Sequence, residues 1–136
     1  MIEKLKNYVA IILDRLGIIK FLFNRQYKND VNKVRIINYH RTPDNELETF
    51  KQQLDYYHKT FKVLNYEELK LFIDGKLRLD RPGLFITFDD GLKNNYSNAY
   101  KLLHNADMKA MFFISAGKIG EEGYMDKDDV KDLLAN

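Results

Sequence analysis

Apolar residues recur along this chain with two different periods. From Ile2 through Leu5, Val9, Ile12, Leu16 and Ile19 to Phe23 they fall at steps of three and four, one face of an amphipathic helix. Gly17 weakens the middle of that helix and is expected to split it. Residues 25–33 are polar and read as a linker. Val34-Arg35-Ile36-Ile37-Asn38-Tyr39 is a strand by composition, and Thr42-Pro43-Asp44-Asn45 is turn chemistry suited to opening a helix. Leu47, Phe50, Leu54, Tyr57 and Phe61 then return to helical spacing, Lys62-Val63-Leu64 is a short apolar piece, and Tyr66 to Ile73 is a helix closed by Gly75.

Further along, Leu84-Phe85-Ile86-Thr87-Phe88 is a strand bounded by Gly83 and Gly91. Residues 94–105 are helical, with Tyr96, Ala99, Tyr100 and Leu103 on one face. Ala110-Met111-Phe112-Phe113-Ile114 is a further buried strand, and Asp126 caps a last helix that turns Val130, Leu133 and Leu134 inward. Strands that alternate with helices and are apolar on both faces predict a parallel α/β arrangement, here of three strands. So small a sheet keeps two open edges, and its last helix would feed another strand. The expected fold is therefore α/β, the opening βα units of a larger barrel or sheet, incomplete, preceded by the amphipathic helix. Two regions follow: residues 1–33, helix and linker, and residues 34–136, the α/β part.

Composition narrows the function. A chain of 136 residues with 45% hydrophobic and 31% charged positions is large enough for one domain with a core, and is not disordered. It has no cysteine, so a metal could be held only by carboxylate, imidazole or water. The net charge of +2 conceals an asymmetry: residues 1–41 hold nine Lys/Arg against three Asp/Glu, and the remainder thirteen against seventeen. The basic end suits anionic lipid or polymer, or is simply solvated; nucleic acid is not the expected partner. The uninterrupted apolar run Tyr8–Leu13 is too short to cross a bilayer, and no secretory cleavage pattern follows it. Docking of the helix on the domain is the first reading, with peripheral membrane contact through residues 2–23 the second. A cytoplasmic or membrane-peripheral location is favoured over the cell envelope. The open sheet edges also raise self-association.

The chemistry concentrates where the strand 84–88 runs into Asp89-Asp90-Gly91. Adjacent acids at the end of a buried strand repel unless a cation or proton is supplied, and a metal site with a base beside it supplies one. The plain alternative is a solvent-facing Asp-Asp-Gly turn. His40 and Ser115 also fall at strand ends, so one rim of a parallel sheet could gather them with Asp89. Of the other histidines, His58 flanks a helix face and His104 lies in a last helical turn, both readable as structural. Tyr39 and Tyr124 are the tyrosines to inspect near a sugar, and residues 118–123 form a loop that could line a groove.

Thr87-Phe88-Asp89-Asp90-Gly91 resembles the first motif of the polysaccharide deacetylases, the NodB-like carbohydrate esterases. Ala110-Met111-Phe112-Phe113-Ile114 is similar to the second strand of that domain. Tyr39-His40-Arg41 resembles the Tyr-His strand of the branch that includes biofilm poly-N-acetylglucosamine deacetylases. The resemblance covers residues 34–136 and implies a deformed (β/α) barrel and a metal-dependent hydrolase removing acetyl groups from N-acetylated or O-acetylated polysaccharide. It implies Asp89 as general base and Asp90 as ligand of a divalent metal, Zn2+ first among transition metals, with His40, Tyr39 and Ser115 as substrate-facing or supporting groups. The family's two other ligands are histidines of a His-x-x-x-His motif, whereas no pair among His40, His58 and His104 is separated by four. The expectation is a truncated N-terminal portion, inactive alone. The alternatives are a carbohydrate-binding relic without catalysis, or a peripheral membrane or partner-binding module.

Overall fold

Four parallel strands, Val34–Tyr39 (β1), Lys62–Val63 (β2), Gly83–Phe88 (β3) and Met111–Phe112 (β4), share one sheet. The computed structural model describes Gly17, Ile18, Phe21 and residues 31–135. The helix expected over 2–23 lies outside the described residues except at Gly17, Ile18 and Phe21. There Gly17 takes φ +69°, off the helical range, and Phe21 N–H donates to Gly17 O at 2.9 Å.

β3 is the axis of the sheet because it is buried on both faces along its whole length. β1 pairs along one edge with Val34 opposite Gly83 and Tyr39 opposite Phe88. On the other edge β2 pairs with the start of β3 and β4 with its end. The sheet thus has four strands rather than the expected three. Two residues of β2 carry no periodicity, so only pairing with Gly83 and Leu84 makes Lys62–Val63 a strand. The apolar run 110–114 likewise contributes only its middle, Met111–Phe112.

Helices follow the strands: Leu47–Thr60 (α1), Tyr66–Ile73 (α2), Lys101–Asn105 (α3) and Lys127–Ala135 (α4). A six-residue π-helical turn, Asn95–Tyr100, runs straight into α3, so the expected helix 94–105 is wider wound in its first half. α2 is closed at both ends. Asn65 and Glu68 form a reciprocal capping box at its start. At its end Gly75, with φ +71°, lets Gly75 N–H reach Phe72 O and Lys76 N–H reach Leu71 O.

Register places aromatic residues side by side on the face that α1 covers. Tyr39 stacks on Phe88 at 5.3 Å and Phe88 on Phe112 at 4.8 Å, with Phe50 of α1 edge-on to both Tyr39 and Phe88. Such pairs contribute roughly 0.5–1.5 kcal/mol each beyond their burial. On the other face Phe85 packs with Leu64 and Leu79, against Leu69 and Phe72 of α2.

α4 departs from the expected apolar docking. Leu134 is 83% exposed and Asp129 is buried. The reason is polar: Lys93 Nζ reaches Asp129 at 2.6 Å and Tyr96 donates to Asp132 at 3.0 Å, so side-chain hydrogen bonds hold a helix that needs no full apolar stripe. No helix among the described residues is long and apolar enough to cross a membrane.

Candidate functional site

The parallel register of β1 and β3 brings their C-terminal ends to one rim. Asp89 N–H donates to Tyr39 O at 3.1 Å, continuing the ladder one step past β3. Because side chains alternate along a strand, Asn38 and His40 share a face with Thr87 and Asp89. His40 Nε2 lies 3.5 Å from Asp89 Oδ2. One ligand atom from each of His40, Asp89 and Asp90 lies within 4.8 Å of the others.

Backbone geometry sets the two acids apart. Asp90 has φ +66°, and Gly91 N–H donates to Asp89 O at 2.9 Å. This is a γ-turn of the rarer hand, centred on Asp90. Asp tolerates the left-handed region better than most residues, yet the conformation still costs on the order of 1–3 kcal/mol. The turn sends consecutive side chains different ways, so Asp89 is half-buried while Asp90 is exposed. The segment beyond it is fastened: Met125 N–H donates to Gly91 O and Lys93 N–H to Gly123 O, both at 2.9 Å.

Thr87 of the motif and two polar residues that the sequence patterns did not single out, Asn38 and Asn95, support this arrangement. Asn38 Nδ2 donates to Asp89 Oδ2 at 2.9 Å, and Thr87 Oγ1 lies 2.9 Å from Asn38 Oδ1. Asn95, fully buried, directs Nδ2 to His40 O at 3.0 Å and to Asp89 O at 3.3 Å, joining the two strand ends through their carbonyls. A signal for Asn95 existed: it stands four residues before Ala99 and eight before Leu103, on the buried face, where a polar residue needs a reason. Asn38 stands two before His40, hence on its face.

The remaining predicted residues lie elsewhere. Tyr39 turns to the α1 side, where its hydroxyl donates to Gln53 Oε1 at 2.6 Å and lies 2.7 Å from the Tyr57 hydroxyl. Burial first, and the Tyr57 hydrogen bond second, push its ionisation well above the usual tyrosine range. Ser115 is exposed before the short turn Ala116–Lys118, and no hydrogen bond among the described residues links it to the three clustered groups. Tyr124 sits beneath Lys118, whose ammonium lies 5.6 Å from the ring centroid. His58 and His104 are exposed on α1 and α3, as structural readings allow.

Two observations test whether the rim suits a divalent cation. The donors are one imidazole and two carboxylates, a set that accepts Zn2+ and several neighbouring metals. Asp89 Oδ1 is buried and has no hydrogen-bond partner among the described residues, an acceptor left unsatisfied there. The residues present fit such an ion in part, offering one to three of the four or more ligands it takes.

Known proteins agree with this picture. The family model described as polysaccharide deacetylase matches residues 76–136. A Bacillus subtilis (strain 168) protein named as a putative polysaccharide deacetylase, YxkH, is 28% identical over 109 residues, covering 74% of this chain and 38% of its own length. Among solved structures, IcaB from Ammonifex degensii superposes with a TM-score of 0.68 at 26% identity, over 76% of this chain and 48% of that one. The Streptococcus pyogenes deacetylase PplD gives 0.66 at 22% identity, over 76% and 52%, a likeness of fold. The chain thus spans about half the length of these solved proteins and less of the curated one. Its parallel βα units and these matches support a NodB-like polysaccharide deacetylase domain over part of the chain, with residues 76–136 carrying the family match.

Proposed function

We propose that the protein acts as a hydrolase that removes acetyl groups from N-acetylated sugars of a polysaccharide, using a divalent metal, with Zn2+ the first choice. The observation that carries this reading is the convergence of His40, Asp89 and Asp90 on one rim, directly after the strand that opens the matched motif. Asp90, exposed on its turn, is the metal ligand. A bound cation would polarise the acetyl carbonyl and acidify water there. Asp89 is the general base: it takes a proton from the attacking water as the water oxygen bonds to the acetyl carbon. Breaking the carbon–nitrogen bond then requires a proton on the leaving amine. His40, beside Asp89, is the imidazole placed to hold or hand over that proton. Acetate and a free amine are the products.

The test measures Zn2+ uptake by calorimetry and acetate release from an N-acetylglucosamine oligomer, using the full chain. Asp90→Asn should lower metal affinity, with activity partly restored by excess metal. Asp89→Asn should leave metal uptake nearly intact while cutting the rate by about 10²–10⁴-fold, which added metal does not recover. Identical responses of the two variants would overturn the division of roles. Absence of acetate release at every metal concentration would reject the reading for this chain and leave the expectation of a portion inactive alone.

A further inference from the structure

Asn38 has no part in the chemistry above, yet it is the group that holds the proposed base. Its Nδ2 donates to Asp89 Oδ2 at 2.9 Å across the β1–β3 pair. The amide is itself oriented. Thr87, paired with Asn38 in the sheet register and buried, places its hydroxyl 2.9 Å from Asn38 Oδ1 and 3.1 Å from Ile37 O. The opposite amide orientation would set Asn38 Oδ1 against a carboxylate oxygen, which an ionised acid would repel. The single Thr87 O–H has Ile37 O as a competing acceptor, and its shorter contact, to Asn38 Oδ1, continues through the amide to one oxygen of Asp89, while Asp89 Oδ1 accepts no hydrogen bond among the described residues.

We propose that Asn38 is a positioning residue, oriented by Thr87, that sets the rotation of the Asp89 carboxylate at the rim. This rests on the reading of Asp89 as general base. A carboxylate at a strand end turns about its Cα–Cβ and Cβ–Cγ bonds, and a base must present a lone pair to water within hydrogen-bond reach. Misplacement of a reacting group by about 1 Å costs on the order of 10²-fold in rate, so the lock matters without touching substrate. Sheet pairing makes the lock rigid, since both Asn38 and Thr87 stand on strands.

Four variants of the full chain test it: Asn38→Ala, Thr87→Val, Thr87→Ser and Asp89→Asn. Acetate release from an N-acetylglucosamine oligomer should show kcat falling by about 10–100-fold in Asn38→Ala and less in Thr87→Val, with KM and melting temperature little changed. Thr87→Ser, which restores the hydroxyl, should recover most of the rate. Asn38→Ala added to Asp89→Asn should cause no further loss, because Asn38 acts through that carboxylate. Wild-type kcat in Asn38→Ala while Asp89→Asn is impaired would overturn the positioning role and leave the base intact. An undiminished rate in Asp89→Asn would instead overturn the base and the positioning role with it. A second measurement needs no turnover. In the proton–nitrogen spectrum the Asn38 side-chain amide should shift in both Thr87→Val and Asp89→Asn, and unchanged resonances in both would reject the lock.

Discussion

Gly91 and Ile114 approach each other so closely that a Cβ on Gly91 would lie 3.0 Å from Ile114 Cγ2 and 3.3 Å from its Cα. The turn that carries the two acids is thereby pressed against the segment leaving β4. The absence of a side chain is required twice over, by this approach and by φ +72°.

Gly91→Ala should therefore destabilise the protein. The left-handed backbone alone costs an ordinary residue about 1–2 kcal/mol, and the Ile114 backbone cannot rotate aside as a side-chain tip would. Gly117→Ala is the control: it meets nothing within 4 Å and should be nearly neutral. Urea unfolding of the two variants checks the contrast, and metal titration should show weaker uptake only in Gly91→Ala, whose strained turn presents Asp90.

Asn95 makes a second prediction. Removing its amide leaves two strand-end carbonyls, of His40 and Asp89, without their shared donor inside the protein. Asn95→Ala should lower stability by about 1–3 kcal/mol. Asn95→Asp should be worse, since it sets a carboxylate against the same two carbonyl oxygens. Amide exchange at Asp89 should quicken in both, because its N–H is the last rung of the β1–β3 ladder. Unchanged exchange with an intact melting curve would show that the ladder holds without the clamp.

These two residues also mark what could be read from the chain and what could not. Asp89 and His40 were legible because each ends an apolar strand, and parallel pairing must bring such ends together. The left-handed turn at Asp90 was foreshadowed by Gly91, but the shape that separates the two carboxylates depends on backbone angles that no side-chain pattern encodes. Asn38 looked like one polar position in a strand until register set it opposite Thr87. Lys62–Val63 was too short to show a period. Leu134 carried an apolar signal, yet α4 is held through Asp129 and Asp132, so hydrogen bonds outweighed the apolar stripe.

Tyr39 should report on alkaline stability. Burial disfavours the Tyr39 phenolate, and the hydrogen bond that Tyr39 donates to Gln53 Oε1 is lost when its proton leaves. Its folded ionisation lies above the ordinary tyrosine value of about 10. A neutral form favoured in the fold contributes stability that is complete below that ordinary value and declines as pH rises beyond it. Tyr39→Phe should cost about 0.5–1.5 kcal/mol at neutral pH and flatten the alkaline decline. Unfolding measured from pH 8 to 11 checks it, and equal alkaline slopes in variant and wild type would contradict the assignment.

Asp126 should report on the acid side, and its effect should reach the candidate site. Its carboxylate accepts the N–H groups of Asp128 at 2.9 Å and Asp129 at 3.0 Å, and Lys93 Nζ lies 3.0 Å away, while Asp126 N–H donates back to Asp129 at 2.9 Å. The backbone bond from Asp129 foremost, then Lys93, holds its ionisation below the usual carboxylate range. A group so depressed contributes stability that is fully present above its unfolded value and is lost as pH falls through the lower folded value. α4 should therefore fray from its first turn in acid. The residue before it, Met125, donates to Gly91 O, so fraying there loosens the turn that carries Asp90. Asp126→Asn separates the causes, because Asn caps a helix nearly as well as Asp but does not titrate. In Asp126→Asn, α4 should keep its amide protection at neutral pH and lose less of it on acidification. Asp126→Ala should lose protection at every pH. If Asp126→Asn frays in acid as readily as the wild type, the carboxylate of Asp126 is not what couples α4 to pH.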